Sequence, residues 1–297
     1  MFTVARDVVW VPLRLFVIHD ATTAQVWLRW TSFAVVGAAV LSLVIGMIQA
    51  LGAPVVRRVS VPIDGLHPDL EGMRIVQLSD IHLSPWKDGE DLELIVDTWV
   101  SLDPELVVIT GDLVDGNVAH RGKDSAPLGS LPKPVFFVTG NHDFYSGAAG
   151  WIAHLRGLGI DVIDGESRRV KRGEAVVLVA GLADPAVGQA EARMRNPALV
   201  ADGGMHSDLK VLLAHRTGDA YAAAKAGFDL QLSGHTHGGQ FFPWTLLIDR
   251  IQPFATGLHR HEGMWIHASV GVGFWGPPVR FLNPPEIVLL TLERAST

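Results

Sequence analysis

The chain has 297 residues, enough for one large domain or two small ones, and 48% of them are hydrophobic. Its formal charge is −7 and it has no cysteine, which excludes disulfides and thiolate-bound zinc and leaves any metal to His, Asp, Asn or Glu. An acidic chain is also a poor unaided binder of polyanions, so no nucleic-acid partner is expected, and a phosphate ligand would need a cation to meet it.

Residues 1–30 form a short apolar segment with Trp10, Trp27 and Trp30. Within it, Val8–Ile18 is too short to span a bilayer and is interrupted by Pro12 and Arg14, so it reads as an interfacial piece or the remnant of a longer hydrophobic N-terminus. Residues 31–53 carry no charge and are long enough to cross a bilayer as a helix. Trp27 and Trp30 stand where an aromatic belt is found, and Arg57 and Arg58 come closely after it. A signal peptide is the rival, with small residues at Ala50-Leu51-Gly52, but the apolar run exceeds an ordinary signal core and its leader is not strongly basic. A retained single-pass anchor in the plasma membrane is therefore expected. The arginines on either side are too evenly divided to choose the side on which the rest of the chain lies. Residues 1–58 carry five arginines against Asp7 and Asp20, so the acidic excess belongs to residues 59–297.

Residues 54–72 read as a linker and entry strand, with turns at Pro62 and Pro68. From Met73 onward, apolar strand-like runs alternate with helical periodicity. Strands are predicted at Arg74–Leu78, Leu106–Thr110, Val135–Thr139, Val176–Ala180, Lys210–Ala214, Asp229–Ser233, Trp265–Ser269 and Ile287–Leu292. Leu92, Ile95, Val96 and Trp99 lie at i, i+3, i+4 and i+7, which predicts an amphipathic helix over Leu92–Val100. Trp151–Leu158 and the alanine-rich Asp219–Ala226 are further helices. The alternation implies one α/β domain over residues 73–297.

Five of these strands run directly into residues that carry chemistry: Asp80 and His82, Gly111-Asp112, Gly140-Asn141-His142-Asp143, His215, and Gly234-His235-Thr236-His237. Each has a plain alternative. Asp80 could cap the following segment, Gly-Asp is a common turn, and a lone His215 could be a hydrogen-bonded core residue. Together they gather Asp, Asn and His at strand ends, where open α/β sheets collect ligands. His235 and His237, two residues apart in an extended loop, can aim both rings at one point, and neutral imidazole is a common ligand for Zn, Mn or Fe.

Asp80-x-His82, Gly111-Asp112, Gly140-Asn141-His142-Asp143, His215 and Gly234-His235-x-His237 resemble, in order, the five signature blocks of the calcineurin-like metallophosphoesterases. The likeness covers about residues 70–295. Gly238-Gly239-Gln240 with Pro243, and Pro278-x-Arg280-Phe281 with Pro285-Glu286, resemble the family's bacterial membrane-associated branch. Two places depart from its pattern: no Asn-Pro follows His215, and no arginine precedes Gly271. The resemblance implies an αββα sandwich of two mixed sheets behind the N-terminal transmembrane helix. It implies two divalent ions (Mn, Fe or Zn), one held by Asp80, His82, Asp112 and His237 and the other by Asp112, Asn141, His215 and His235. It further implies hydrolysis of phosphodiester or pyrophosphate bonds by a hydroxide between the ions. His142 would protonate the leaving oxygen and Asp143 would orient His142. A nucleotide-linked lipid such as UDP-2,3-diacylglucosamine is one substrate the resemblance suggests.

Rival readings are fewer. Gly271-x-Gly273-x-x-Gly276 fits a dinucleotide fingerprint by letters, but Pro277-Pro278 come where a helix should start. A metal-dependent amidohydrolase would place its His-x-His on an early strand of a barrel of about eight strand–helix units. A metal-holding membrane scaffold without activity is the non-enzymatic alternative. Phe241–Phe254, with Phe274 and Trp275 nearby, is either a packed loop or an apolar lip for lipid tails.

Overall fold

The computed structural model describes residues 1–131, 134–201 and 206–295. Two helices open the chain, α1 (Phe2–Phe16) and α2 (Ala21–Leu51), packed as a hairpin with Trp10 stacked on Trp27 at 4.6 Å. The interruption expected at Pro12 does not occur, because Pro12 lies inside α1 and forgoes a single backbone hydrogen bond. α2 begins well before the charge-free run because Asp20 caps it, its carboxylate accepting from Thr23 N at 2.6 Å. By length and composition α2 is a candidate membrane span.

Beyond it come β1 (Val55–Ile63), β2 (Arg74–Leu78), α3 (Gly89–Ser101), β3 (Leu106–Ile109), α4 (Val118–Arg121), β4 (Val135–Phe137), α5 (Asn141–Tyr145), α6 (Ala148–Gly157), β5 (Asp161–Val162), β6 (Ser167–Arg172) and β7 (Ala175–Leu182). The remaining elements are α7 (Pro197–Ala201), β8 (Leu209–Ala214), α8 (Ala220–Lys225), β9 (Leu230–Ser233), β10 (Gly257–His261), β11 (Met264–Ala268) and β12 (Glu286–Arg294). The strands form two six-stranded mixed sheets, ordered β1-β12-β2-β3-β4-β5 and β10-β11-β9-β8-β7-β6. In the first, β2 to β5 are parallel and β12 runs antiparallel to β2. In the second, β7, β8, β9 and β11 are parallel, with β6 and β10 antiparallel at the edges. Two open sheets of this kind exclude the barrel an amidohydrolase would need.

Period-two alternation sorts the side chains into layers. Ile75, Val108, Phe136, Val177, Val211, Leu213 and Leu290 meet between the sheets. Their neighbours Val76, Val107, Ile109 and Phe137 face outward, onto Leu92, Ile95 and Trp99 of α3 and Trp151 and Leu155 of α6. On the opposite side, Ala180, Leu212 and Ala214 pack on Ala220 and Ala223 of α8 and Val200 of α7. The result is the expected αββα sandwich. Each buried Leu, Ile or Val contributes about 1.5–3 kcal/mol, and burial on both faces explains why β3 is a continuous apolar run and why β2 and β8 are apolar apart from Arg74, Gln77 and Lys210. α3 is fixed at its start by a capping box between Asp88 and Asp91.

Candidate metal centre

The parallel strands β2, β3 and β4 of one sheet and β8 and β9 of the other end on the same side of the sandwich, and each end carries one of the motifs. Short backbone bridges bind the loops together: Asp80 N to Gly111 O (2.9 Å), His82 N to Asp112 O (3.1 Å) and Gly234 N to His215 O (3.0 Å). The approach is so close that a Cβ on Gly234 would lie 1.8 Å from Ser79 Oγ, and one on Gly140 2.2 Å from Asp112 Oδ1. Glycine is required at both places. Asp80, His82, Asp112, His235 and His237 all hold left-handed backbone, with φ between 48° and 70°. Non-glycine residues pay about 1–3 kcal/mol each for that conformation, and such strain concentrates at functional sites.

Six of the seven expected ligands come together in two clusters, and the seventh, Asn141, lines the same pocket. The ligand atoms of Asp80, His82 and His237 lie within 4.8 Å of one another, as do those of Asp112, His215 and His235. His82 Nε2 is 3.1 Å from His237 Nε2, and His237 Nε2 is 3.3 Å from Asp80 Oδ1. His235 Nδ1 is 3.2 Å from His215 Nε2, and His215 Nε2 is 3.2 Å from Asp112 Oδ2. The same Asp112 Oδ2 lies 3.8 Å from His82 Nε2, so one carboxylate faces both clusters.

These separations fit a metal. Donors about 2.1 Å from an ion stand roughly 3.0–3.4 Å apart, whereas two imidazole lone pairs at that distance repel unless a cation lies between them. His215 Nδ1–H donates to Thr110 O (2.8 Å), which fixes the tautomer and turns Nε2 inward. Asn141 Oδ1 is buried and has no hydrogen-bond partner, an arrangement that costs about 1–3 kcal/mol unless something positive meets it.

The electrostatics agree. Asp80, Asp112 and Asp143 are all buried. Burial, reinforced by the charge of Asp112, pushes Asp143 up to about 8, and burial raises Asp80. Burial lowers His235 to about 3 and His237 well below the usual range, keeping both rings neutral with lone pairs to offer. His215 is subject to the same burial, yet the charge of Asp112 outweighs it and lifts the ring to about 10.

His142 and Asp143 separate. His142 lies at the edge of the cluster, its ring 4.7 Å from that of His82 in a T-shaped contact. Asp143 does not orient it. The Asp143 carboxylate instead accepts the backbone N–H groups of Gly140 (2.7 Å), Asp112 (2.9 Å) and Leu113 (2.9 Å), pinning the two loops. Orientation comes from Asp115, a residue the sequence reading missed. Its two oxygens meet His142 Nδ1 at 2.6 Å and His82 Nδ1 at 3.1 Å. Burial raises the Asp115 carboxyl, but the bonds from His142 and His82 outweigh it and hold the group well below the usual carboxylate range. The spacing Asp112-x-x-Asp115 was the available signal. Asp115→Asn is expected to reduce kcat/KM or metal affinity about 10–100-fold, the usual effect of losing a ligand's hydrogen-bonded outer partner. Steady-state kinetics with a metal titration measures it, and a change under about twofold in both would remove Asp115 from this role.

The centre opens into a cavity of about 530 Å³ walled on one side by Phe241, Trp244, Ile248 and Trp275. Of the aromatic residues expected near the lip, Phe274 is buried, and Phe254 turns away to pack on Tyr221 and His261. The Gly271–Gly276 loop is no dinucleotide site: Val272 N and Gly273 N donate to Ser79 O and Asp80 O, supporting the first cluster from behind.

Residues 73–239 match the sequence model of the calcineurin-like phosphoesterases, more than half of the chain. The chain belongs to that family. Among curated relatives, a zebrafish (Danio rerio) transmembrane protein with a metallophosphoesterase domain is 36% identical, over 90% of this chain and 63% of that protein. An uncharacterised metallophosphoesterase of Helicobacter pylori is 31% identical, over 83% of this chain and 66% of its own. This phosphoesterase chain thus spans less than two thirds of the length of either relative. Its relatives are vertebrate as well as bacterial, so they do not single out a bacterial branch. Among solved structures, the NAD nucleotidase of Haemophilus influenzae aligns with a TM-score of 0.48 at 16% identity, covering 67% of this chain and 45% of that one.

Proposed function

We propose that the protein is a metal-dependent phosphoric ester hydrolase, anchored by α2 in the plasma membrane as a single-pass protein, that cleaves phosphodiester or pyrophosphate bonds with two divalent ions. The observation that carries the reading is the position of Asp112 between two ligand clusters. Asp80, His82 and His237 with Asp112 would hold one ion, and Asn141, His215 and His235 with Asp112 the other. The all-N/O donor set suits Mn, Fe or Zn. When bound, such ions polarise the phosphoryl oxygens and supply a nucleophile near neutral pH.

The chain's own residues do the rest. Asp112 turns Oδ2 toward both clusters while its Oδ1 accepts from His142 N at 2.8 Å, which ties the acid's backbone to the carboxylate that would be shared. His142, anchored through Nδ1 by Asp115, is left with Nε2 to give a proton to the leaving oxygen. Asp143 keeps the Gly140 and Asp112 loops in register. The apolar wall of Phe241, Trp244 and Trp275 favours a second, narrower reading, in which the ester is a nucleotide-linked lipid such as UDP-2,3-diacylglucosamine. Membership of a bacterial membrane-associated branch is part of this proposal, supported by Gly238-Gly239-Gln240 and by the Arg280 segment.

Purified full-length protein, stripped with a chelator and reloaded with Mn, Zn or Fe, is expected to bind two ions per chain and to hydrolyse aryl phosphodiesters or pyrophosphates only when loaded. Metal bound with no cleavage of any phosphomonoester, phosphodiester or pyrophosphate would favour a non-catalytic scaffold.

A further inference from the structure

We propose that two loops, Phe241–Ile251 and Trp275–Leu282, form an apolar rim that inserts into the lipid bilayer beside α2 and sets the mouth of the metal pocket at the membrane surface. The proposal rests on α2 being a membrane span.

The contact between α2 and the second loop fixes the rim's position. Gly46 O of α2 accepts from Arg280 N at 2.9 Å, and Leu282 N donates to Gln49 Oε1 at 3.0 Å. A Cβ on Gly46 would stand 2.6 Å from Val279 Cγ1, so only glycine lets the loop lie this close. Helical rise then gives the depth. Gly46 precedes Leu51, where α2 ends, by about 7.5 Å at 1.5 Å per residue, within a hydrocarbon layer of about 30 Å. A loop seated on Gly46 therefore lies at the level of the bilayer, not above it.

The chemistry of the loops matches that depth. Between Gly271 and Phe281 the only charged residue is Arg280, and it is fully buried. Its guanidinium donates inward, to the carbonyls of Val270 (2.6 Å), Gly271 (3.1 Å), Gly273 (2.5 Å), His237 (3.3 Å) and Asn283 (2.9 Å). Nothing charged on this loop faces outward. Phe241–Ile248 carries no charge either, and Asp249 and Arg250 lie only at its far end, where headgroups are available. The two loops form one surface, because Phe242 N donates to Phe281 O at 2.9 Å. Trp244 (45%), Leu246 (66%), Trp275 (49%) and Leu282 (62%) stand exposed on it. That is a contiguous apolar patch of the kind that marks a membrane contact. Trp244 and Trp275 also line the cavity, so a phosphoester can reach the metal ligands while its apolar part stays in the lipid.

The absence of native cysteine allows single labels at Leu246→Cys on the rim, Leu41→Cys on the exposed face of α2, and Lys171→Cys on β6, beside the start of β7 and away from the metal-bearing strand ends. The full chain carries one nitroxide at a time in nanodiscs of phosphatidylcholine and phosphatidylglycerol. Collision rates with oxygen and with a water-soluble nickel chelate are read for each. The labels at positions 246 and 41 are expected to favour oxygen and the label at 171 to favour nickel. Oxygen preference at 41 with nickel preference at 246 overturns the rim and leaves the span intact. Nickel preference at 41 overturns the span, and the rim with it. Neither outcome depends on catalysis, so the hydrolase reading stands or falls separately.

Discussion

Asp112→Asn is expected to lower turnover about 10⁴-fold while leaving the fold intact. Asparagine tolerates the left-handed backbone at this position (φ 53°), and its amide oxygen can still accept from His142 N. What it cannot offer is an anionic oxygen at the Oδ2 position, where its neutral NH2 group would stand. Oδ2 lies 3.2 Å from His215 Nε2 and 3.8 Å from His82 Nε2, the one carboxylate atom among the expected ligands that reaches toward both clusters. Weakening the cations' grip on the phosphoryl group forfeits several kcal/mol of transition-state stabilisation, and about 5.5 kcal/mol corresponds to the factor stated. Elemental analysis should find the variant short of two ions, and circular dichroism should find it folded. Wild-type turnover in a folded variant would end the shared-carboxylate scheme.

His142→Ala is expected to cost about 10³-fold with metal content unchanged, in the usual range for loss of a general acid. The ring is partly buried at the pocket edge and held by Asp115 at 2.6 Å; it groups with His82 and Asp115 and is outside the two clusters formed by Asp80, His82 and His237 and by Asp112, His215 and His235. The loss should depend on the leaving group. A p-nitrophenolate departs without help, so an aryl diester should lose far less than an alkyl one. Loss of bound metal would make His142 a ligand, and an equal loss with both esters would deny it the proton.

The sequence was most informative where burial is two-sided. β3 is an unbroken apolar run because both faces are covered, β2 and β8 are nearly so, and the residues at their ends stood out against them. β1 was harder to read. Arg58 and Ser60 leave one face and Arg57 the other of an edge strand that pairs along its whole length with β12, and Arg57 meets Glu286, far along the chain, at 2.7 Å. β6, with four arginine and lysine residues on an exposed edge, carries equally little apolar signal. Asp115 was missed for a different reason. An aspartate three residues past a ligand looks like an ordinary turn residue, and its meaning comes from His82 and His142, which approach it from separate loops. The partners of Asp143 were equally illegible, since they are backbone N–H groups, which no side-chain pattern reports.

The strand order has a bearing on biogenesis. β12 lies between β1 and β2, so the earliest strand of the first sheet has no neighbour until the latest has been synthesised. Glu286, which opens β12, also accepts from Val270 N at 3.0 Å and so steadies the loop behind Asp80. On a ribosome that releases the N-terminal part first, α2 can enter a bilayer and most strands can emerge while this sheet is still divided. The first sheet is then closed late, when β12 slides between two waiting edges.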